Sequence, residues 1–207
     1  MSIQLARFHR TAVLGAGLLL TVALTACSGG SGAGTPSDQS GRQLPTTAPS
    51  GSAAPVIANP KDATAMSVCS LLSSEAATTL GLNPTGKKES KLTAPKSPDS
   101  CEWESPGSGA TKVSITAFNG RSIQQYYNNS SEYSDFEKLR IAEHPAVRAN
   151  KNDPMVGGSC AVFLASKENQ VVMAYARLNA EDTGKVDPCG MAKKAFELSV
   201  PSWPAAQ

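Results

Sequence analysis

The chain has 207 residues and 19 Lys and Arg against 17 Asp and Glu. Both surplus cations, Arg7 and Arg10, fall in the first 26 residues, so residues 27–207 are electrically balanced and carry no basic excess to draw them onto nucleic acid. The length suits one domain with a core of its own, not two.

The first 26 residues combine those two arginines with no acidic residue, and an apolar or small run from Thr11 to Leu24 follows. A basic start, a short apolar stretch and small residues at Thr25-Ala26 make an export signal peptide. Its 14 apolar or small residues are fewer than the roughly 20 a helix needs to cross a bilayer. Leu24-Thr25-Ala26-Cys27 resembles the bacterial lipobox, in which the cysteine receives a diacylglyceryl thioether and the chain is cut before it. Cys27 is therefore the expected lipidation site, with palmitate-type chains holding the protein on the extracellular side of the cell membrane. A second and third acyl chain matter, because one alone gives only marginal, reversible attachment.

Residues 27–60 read as this lipidated cysteine and a flexible tether. Of residues 28–60, 25 of 33 are Gly, Ala, Ser, Thr or Pro, too little apolar surface to offset the entropy of ordering them. Such a tether reaches roughly 30 Å as a flexible chain. Residues 61–207 are the expected extracytoplasmic domain.

Within it, Val68, Leu71, Leu72, Ala76 and Leu80 recur at three- and four-residue steps, a helix or two short turns over 67–81 that stops at Gly81. Alternation predicts strands at 100–104 and 111–118, joined by the Pro106–Gly109 loop. A helix is expected at 122–129, with Ile123 and Tyr126 or Tyr127 inward. The segment 139–147 reads as a strand broken at Pro145. The strongest strand pair is 159–165 with 170–177, across a 166–169 connection. Asp187 and Pro188 open a last helix to Leu198, as N-cap and first helical residue, and Pro201 stops it. Helix, hairpin, helix, hairpin, helix is the order of an α+β domain: an antiparallel sheet flanked by helices.

With Cys27 assigned to lipid, Cys69, Cys101, Cys160 and Cys189 remain, an even number in an oxidising compartment and hence two disulfides. Metal or thiol-redox chemistry lacks its C-x-x-C pair, and His144 is the single histidine after residue 26. No metal and no cofactor is expected. Of the three connectivities, Cys69–Cys101 with Cys160–Cys189 is preferred, because each closes a loop of about 30 residues between near neighbours.

Other motifs fail on context. Gly81 to Lys87 matches the start of a phosphate-binding loop, but Lys88 stands where magnesium needs Ser or Thr, and Pro84 interrupts it. His144, beside Pro145, has no nucleophile motif with it and reads as an exposed loop residue. Glu132, Asp135 and Glu137 read as a solvated face, not an acid–base pair. Asp153 lacks the calcium-loop pattern. Asn128 and Asn129 match a glycosylation sequon that means little in a bacterial export product. Trp103, Tyr126, Tyr127, Phe163 and Tyr175 are most simply core, with a groove lining as the alternative.

Four segments then line up: Val68-Cys69-Ser70-Leu71-Leu72 with Glu75 and Ala76; Ser100-Cys101-Glu102-Trp103; Gly158-Ser159-Cys160-Ala161-Val162; and Asp187-Pro188-Cys189. With lipobox and tether, they resemble the actinobacterial lipoproteins grouped as domain of unknown function 3558, over roughly residues 61–201. Ser67-Val68 departs from the proline expected before the first cysteine. The resemblance implies an actinobacterial envelope location and brings no catalytic residues. In layout it is similar to extracytoplasmic domains of PsbP-like helix–sheet–helix build.

The expected function is a non-enzymatic binding module whose partner is an envelope protein, glycan or lipid. The first alternative is a carrier of an apolar ligand in a cavity lined by Phe163, Met173, Tyr175 and Phe196. An envelope hydrolase is the second, and it requires His144 or the 132–137 acids to converge in one cleft.

Overall fold

A computed structural model describes residues 55–90, 98–107 and 109–207. The predicted signal peptide, Cys27 and most of the tether lie outside the described residues. Four helices accompany a seven-stranded sheet: α1 (Ser74–Thr79), β1 (Lys87–Glu89), β2 (Ser100–Glu104), β3 (Lys112–Asn119), α2 (Ile123–Asn128), β4 (Asp135–Ile141), β5 (His144–Asn150), α3 (Pro154–Gly157), β6 (Ser159–Lys167), β7 (Gln170–Arg177) and α4 (Pro188–Ser199). The strand order is β1-β2-β3-β7-β6-β5-β4 and every neighbouring pair is antiparallel. This is the expected α+β domain.

Local chemistry sets the element ends. The Ser73 hydroxyl accepts the Ala76 N–H to start α1, and Gly81 closes the following turn at φ 73°. Ser122 and Gln125 form a capping box on α2. The Asp187 carboxylate accepts the Cys189 N–H at 2.8 Å, and Pro188 takes the first helical position of α4. Asp153 caps the single turn of α3 in the same way, through the Met155 N–H. That cap is its structural role.

One side of the sheet carries the main core. Trp103 faces Val113 across β2 and β3, and Cys101 faces Ile115. Val162, Leu164, Val172 and Ala174 continue this side, and Ala192, Ala195 and Phe196 of α4 pack on it. The Trp203 ring meets Phe196 edge-on, and its N–H donates to the Leu71 carbonyl at 2.9 Å. Cys69 is joined to Cys101 and Cys160 to Cys189, the pairing that loop length predicts. The first ties the Val68–Ser70 turn to β2; the second ties the start of α4 to a central strand.

Gly86, the second glycine of the phosphate-loop lookalike, has a packing explanation. A Cβ there would lie 2.5 Å from the Trp103 ring and 2.6 Å from the Cys101 sulfur. The chain can cross the disulfide and the indole this closely only at a glycine.

Two predictions need correction around Pro145. The strand expected over 139–147 is two strands, and the break falls at Ala142-Glu143, not at the proline. These residues, with φ 46° and 67°, form a two-residue turn between Ile141 and His144. The closing pair of such a hairpin exchanges hydrogen bonds, so the backbone of Pro145 faces β6 instead of β4. The β5–β6 register, Ala146 opposite Leu164, sets Ala165 across from it. Pro145 has no N–H for that carbonyl, and the His144 Nδ1–H donates to it instead, at 2.9 Å. At the other end of this short ladder the Ala161 N–H goes to the Asn150 side chain, at 2.8 Å. His144 is thus no exposed loop residue: it is 2% exposed and completes the sheet.

Residues 55–60, predicted as the end of the tether, lie on the domain. Ile57 packs beside Ile123 and Val171, and the Ala206 N–H donates to the Pro60 carbonyl. Lys61 pairs with Ala205 as an isolated bridge. Behind it Gln170, fully buried, accepts from the Ala63 N–H and the Ser166 hydroxyl and donates to Asp62, Thr64 and Asn119. Lys167 is ion-paired to Asp62. This network fastens the incoming chain to the β6–β7 hairpin.

Candidate functional site

The predicted chemical residues do not converge. His144 is committed to the Ala165 carbonyl, and its pKa is lowered, first by burial and then by the charges of Lys61 and Arg140. It lines a cavity of about 540 Å³ with Lys61, Glu143 and Ala205, where no serine, threonine or cysteine stands as a nucleophile. Asp135 and Glu137 sit on β4 and are ion-paired to Arg148 of β5, at 2.8 and 3.1 Å. Glu132 lies in a separate turn, Ser130–Glu132. Among the described residues no group of three or more His, Cys, Asp or Glu could hold a metal ion.

The four residues expected to line a carrier cavity are divided by the sheet. Phe196 is in the main core under α4. Phe163 and Met173 face each other across β6 and β7 on the opposite side, with Tyr175 one rung along.

That opposite side is the candidate site. A second, smaller core lies there: Ile123 and Tyr126 of α2 pack on Val147, Ala149, Ala165 and Val171. α2, its neighbouring turn and Ile57 of the 55–60 segment pack over this side, chiefly on β5 and β6. The β3–β7 half is open. Its floor is Ser114 beside Tyr175 and Thr116 beside Met173, with Phe163 next along. Apart from Thr116, these side chains are half-buried. The wall is Tyr126, whose ring lies 4.4 Å from that of Phe163, with Tyr133 beyond it at 6.5 Å.

Arg121 closes one end. Its guanidinium lies 4.2 Å over the Phe118 ring and donates to the Tyr126 hydroxyl at 3.4 Å. With Gln125, Asn129, Tyr126 and Tyr133 it lines a notch of about 170 Å³. Burial raises the Tyr126 pKa, so its hydroxyl keeps its proton. At the other end Lys112 sits between Glu102 and Glu104, at 2.7 and 2.5 Å. Glu102 first, then Glu104, raise its pKa. Arg177, across from Lys112, is exposed.

The sequence pointed to Tyr126, Phe163 and Tyr175 as core or groove lining, and the structure makes them wall and floor of a half-open face. Arg121, Ser114 and Arg177 were not anticipated. They stand in ordinary turn or strand context, and only the sheet register brings them together.

No curated protein and no solved structure matches this chain. A family model does match, over residues 22–202: Protein of unknown function (DUF3558). The span takes in all seven strands and both disulfides, and the chain belongs to this family.

Proposed function

We propose that the protein is an exported lipoprotein, anchored through Cys27 to the extracellular side of an actinobacterial cell membrane, and that it works there as a non-enzymatic binding module. The observation that carries the reading is the division of its five cysteines. Four are consumed in two disulfides, which persist in an oxidising compartment. The fifth, Cys27, follows Leu24-Thr25-Ala26 at the end of an export signal. A half-open face with aromatic, hydroxyl and guanidinium groups gives such a module a surface to bind with.

Mass spectrometry of the protein extracted from its own membranes tests this. The expected N-terminal peptide begins at Cys27 and carries a diacylglyceryl group, and Cys27→Ser abolishes the modification and releases the protein from the membrane fraction. An unmodified Cys27, or a Cys27→Ser protein that stays membrane-bound, would overturn the anchor.

A further inference from the structure

We infer that the open β3–β7 face binds an acidic glycan, a chain of sugar units bearing carboxylates. This rests on the binding-module reading above and names its ligand class. The face is elongated: Phe118 and Lys112 are six residues apart on β3, roughly 20 Å at the rise of an extended strand. Along that length it offers an aromatic face, Tyr175 on the floor, suited to the apolar face of a pyranose ring. Beside it stands the Ser114 hydroxyl, and Gln125 and Asn129 line the notch at the Arg121 end.

The charge pattern points the same way. Arg121 and Arg177 stand at the two ends, and neither has a carboxylate partner among the described residues. The nearby acids Glu102 and Glu104 are matched by Lys112 and Lys87. A guanidinium with free donors fits a carboxylate in two-point geometry. A protein partner fits less well because, of the large apolar side chains that stand most exposed, Met155 and Val156 are on α3 and Val186 precedes α4, and only Val56 belongs to a segment on this side of the sheet.

Titration calorimetry of the full chain in detergent micelles tests this with three polymers: oligogalacturonate, a neutral galactose oligomer of equal length, and polyglutamate. Oligogalacturonate is expected to bind with a Kd on the order of 0.1–1 mM, and the neutral oligomer about tenfold more weakly. Polyglutamate should show no measurable binding, because it has carboxylates but no pyranose faces. Arg121→Ala and Tyr175→Ala should each weaken oligogalacturonate binding about five- to tenfold. Lys193→Ala, on α4 across the sheet, should leave it unchanged. Thermal melting of each variant confirms that it is folded, since Arg121 is exposed and Tyr175 half-buried.

No binding of oligogalacturonate overturns the inference. So does equal binding of polyglutamate, or binding that survives both Arg121→Ala and Tyr175→Ala. If the glycan fails while membrane crosslinking reproducibly captures a protein at this face, the binding-module reading stands and only the ligand class is lost. If Cys27 carries no lipid yet oligogalacturonate binds as expected, the anchor fails alone.

Discussion

Two buried polar residues decide how residues 61–64 and the sheet are held. The Gln170 side chain has five polar partners, two on its oxygen and three shared by the two hydrogens of its nitrogen, with no exposed surface. Leucine at this position would fill similar space but leave the buried Ala63 N–H without its acceptor, while Asp62 keeps Lys167 and Ser166 keeps the Gln170 carbonyl. A buried orphan costs about 1–3 kcal/mol, so Gln170→Leu is expected to lose roughly 1–3 kcal/mol, read as a lower urea midpoint at unchanged slope. A loss below about 0.5 kcal/mol would mean that the network contributes little net stability.

His144 and Asp62 then give acid sensitivity in two separate windows. Burial lowers the His144 pKa below its ordinary 6.5, so the unfolded chain takes up the proton first. The stability that the neutral ring contributes is complete above pH 6.5 and is lost as the pH falls through the folded value. The Lys167 ion pair, then Thr64, hold the Asp62 carboxyl well below its ordinary 3.8. Its contribution is complete above pH 3.8 and lost only in stronger acid. Urea midpoints measured from pH 7.5 to 2.5 should therefore fall in two stages. His144→Gln, whose amide can still donate to Ala165 but does not titrate, should flatten the upper stage and keep the lower. An unchanged upper stage in that variant would assign it to other groups.

At the scale of elements, what the sequence announced was what the core enforces. β2, β3, β6 and β7 were legible because one side of each lies under the Val68–Ser70 turn or α4, and the burial pattern of β3, with Val113 and Ile115 inward, is the pattern read from its residues. β4 escaped for the opposite reason. In Asp135–Ile141 only Leu139 and Ile141 reach the main core. The inward positions before them, Asp135 and Glu137, lie beyond the helix and are satisfied by Arg148 instead of by apolar packing. Half a strand with charges on its inner face has no apolar period to detect. β1 is three exposed residues paired to β2 at the sheet edge, and α3 is one capped turn. The candidate face was legible only in part. Its aromatics stood out by type, but Arg121 and Arg177 are 56 positions apart, and no spacing rule joins them until β3 and β7 are paired.

Across the whole molecule the two disulfides divide the labour of holding the core. Cys69–Cys101 closes a separation of 32 residues at the first strands, and Cys160–Cys189 one of 29 between β6 and α4. The loops do not overlap in sequence, so their effects on the unfolded chain are close to independent. Under the chain-entropy account each bridge contributes roughly 3–4 kcal/mol. A domain of this size has a total stability of about 5–15 kcal/mol. Losing one bridge should therefore lower the melting temperature and leave a folded protein, whereas losing both removes about 6–8 kcal/mol and takes much or all of the margin. Thermal melts of the Cys69→Ser/Cys101→Ser and Cys160→Ser/Cys189→Ser proteins should each show one cooperative transition. The protein with all four replaced should be largely unfolded at 37 °C. A cooperative transition well above that temperature in the fourfold variant would mean that the α4–sheet core, centred on Phe196 and Trp203, is sufficient without either bridge.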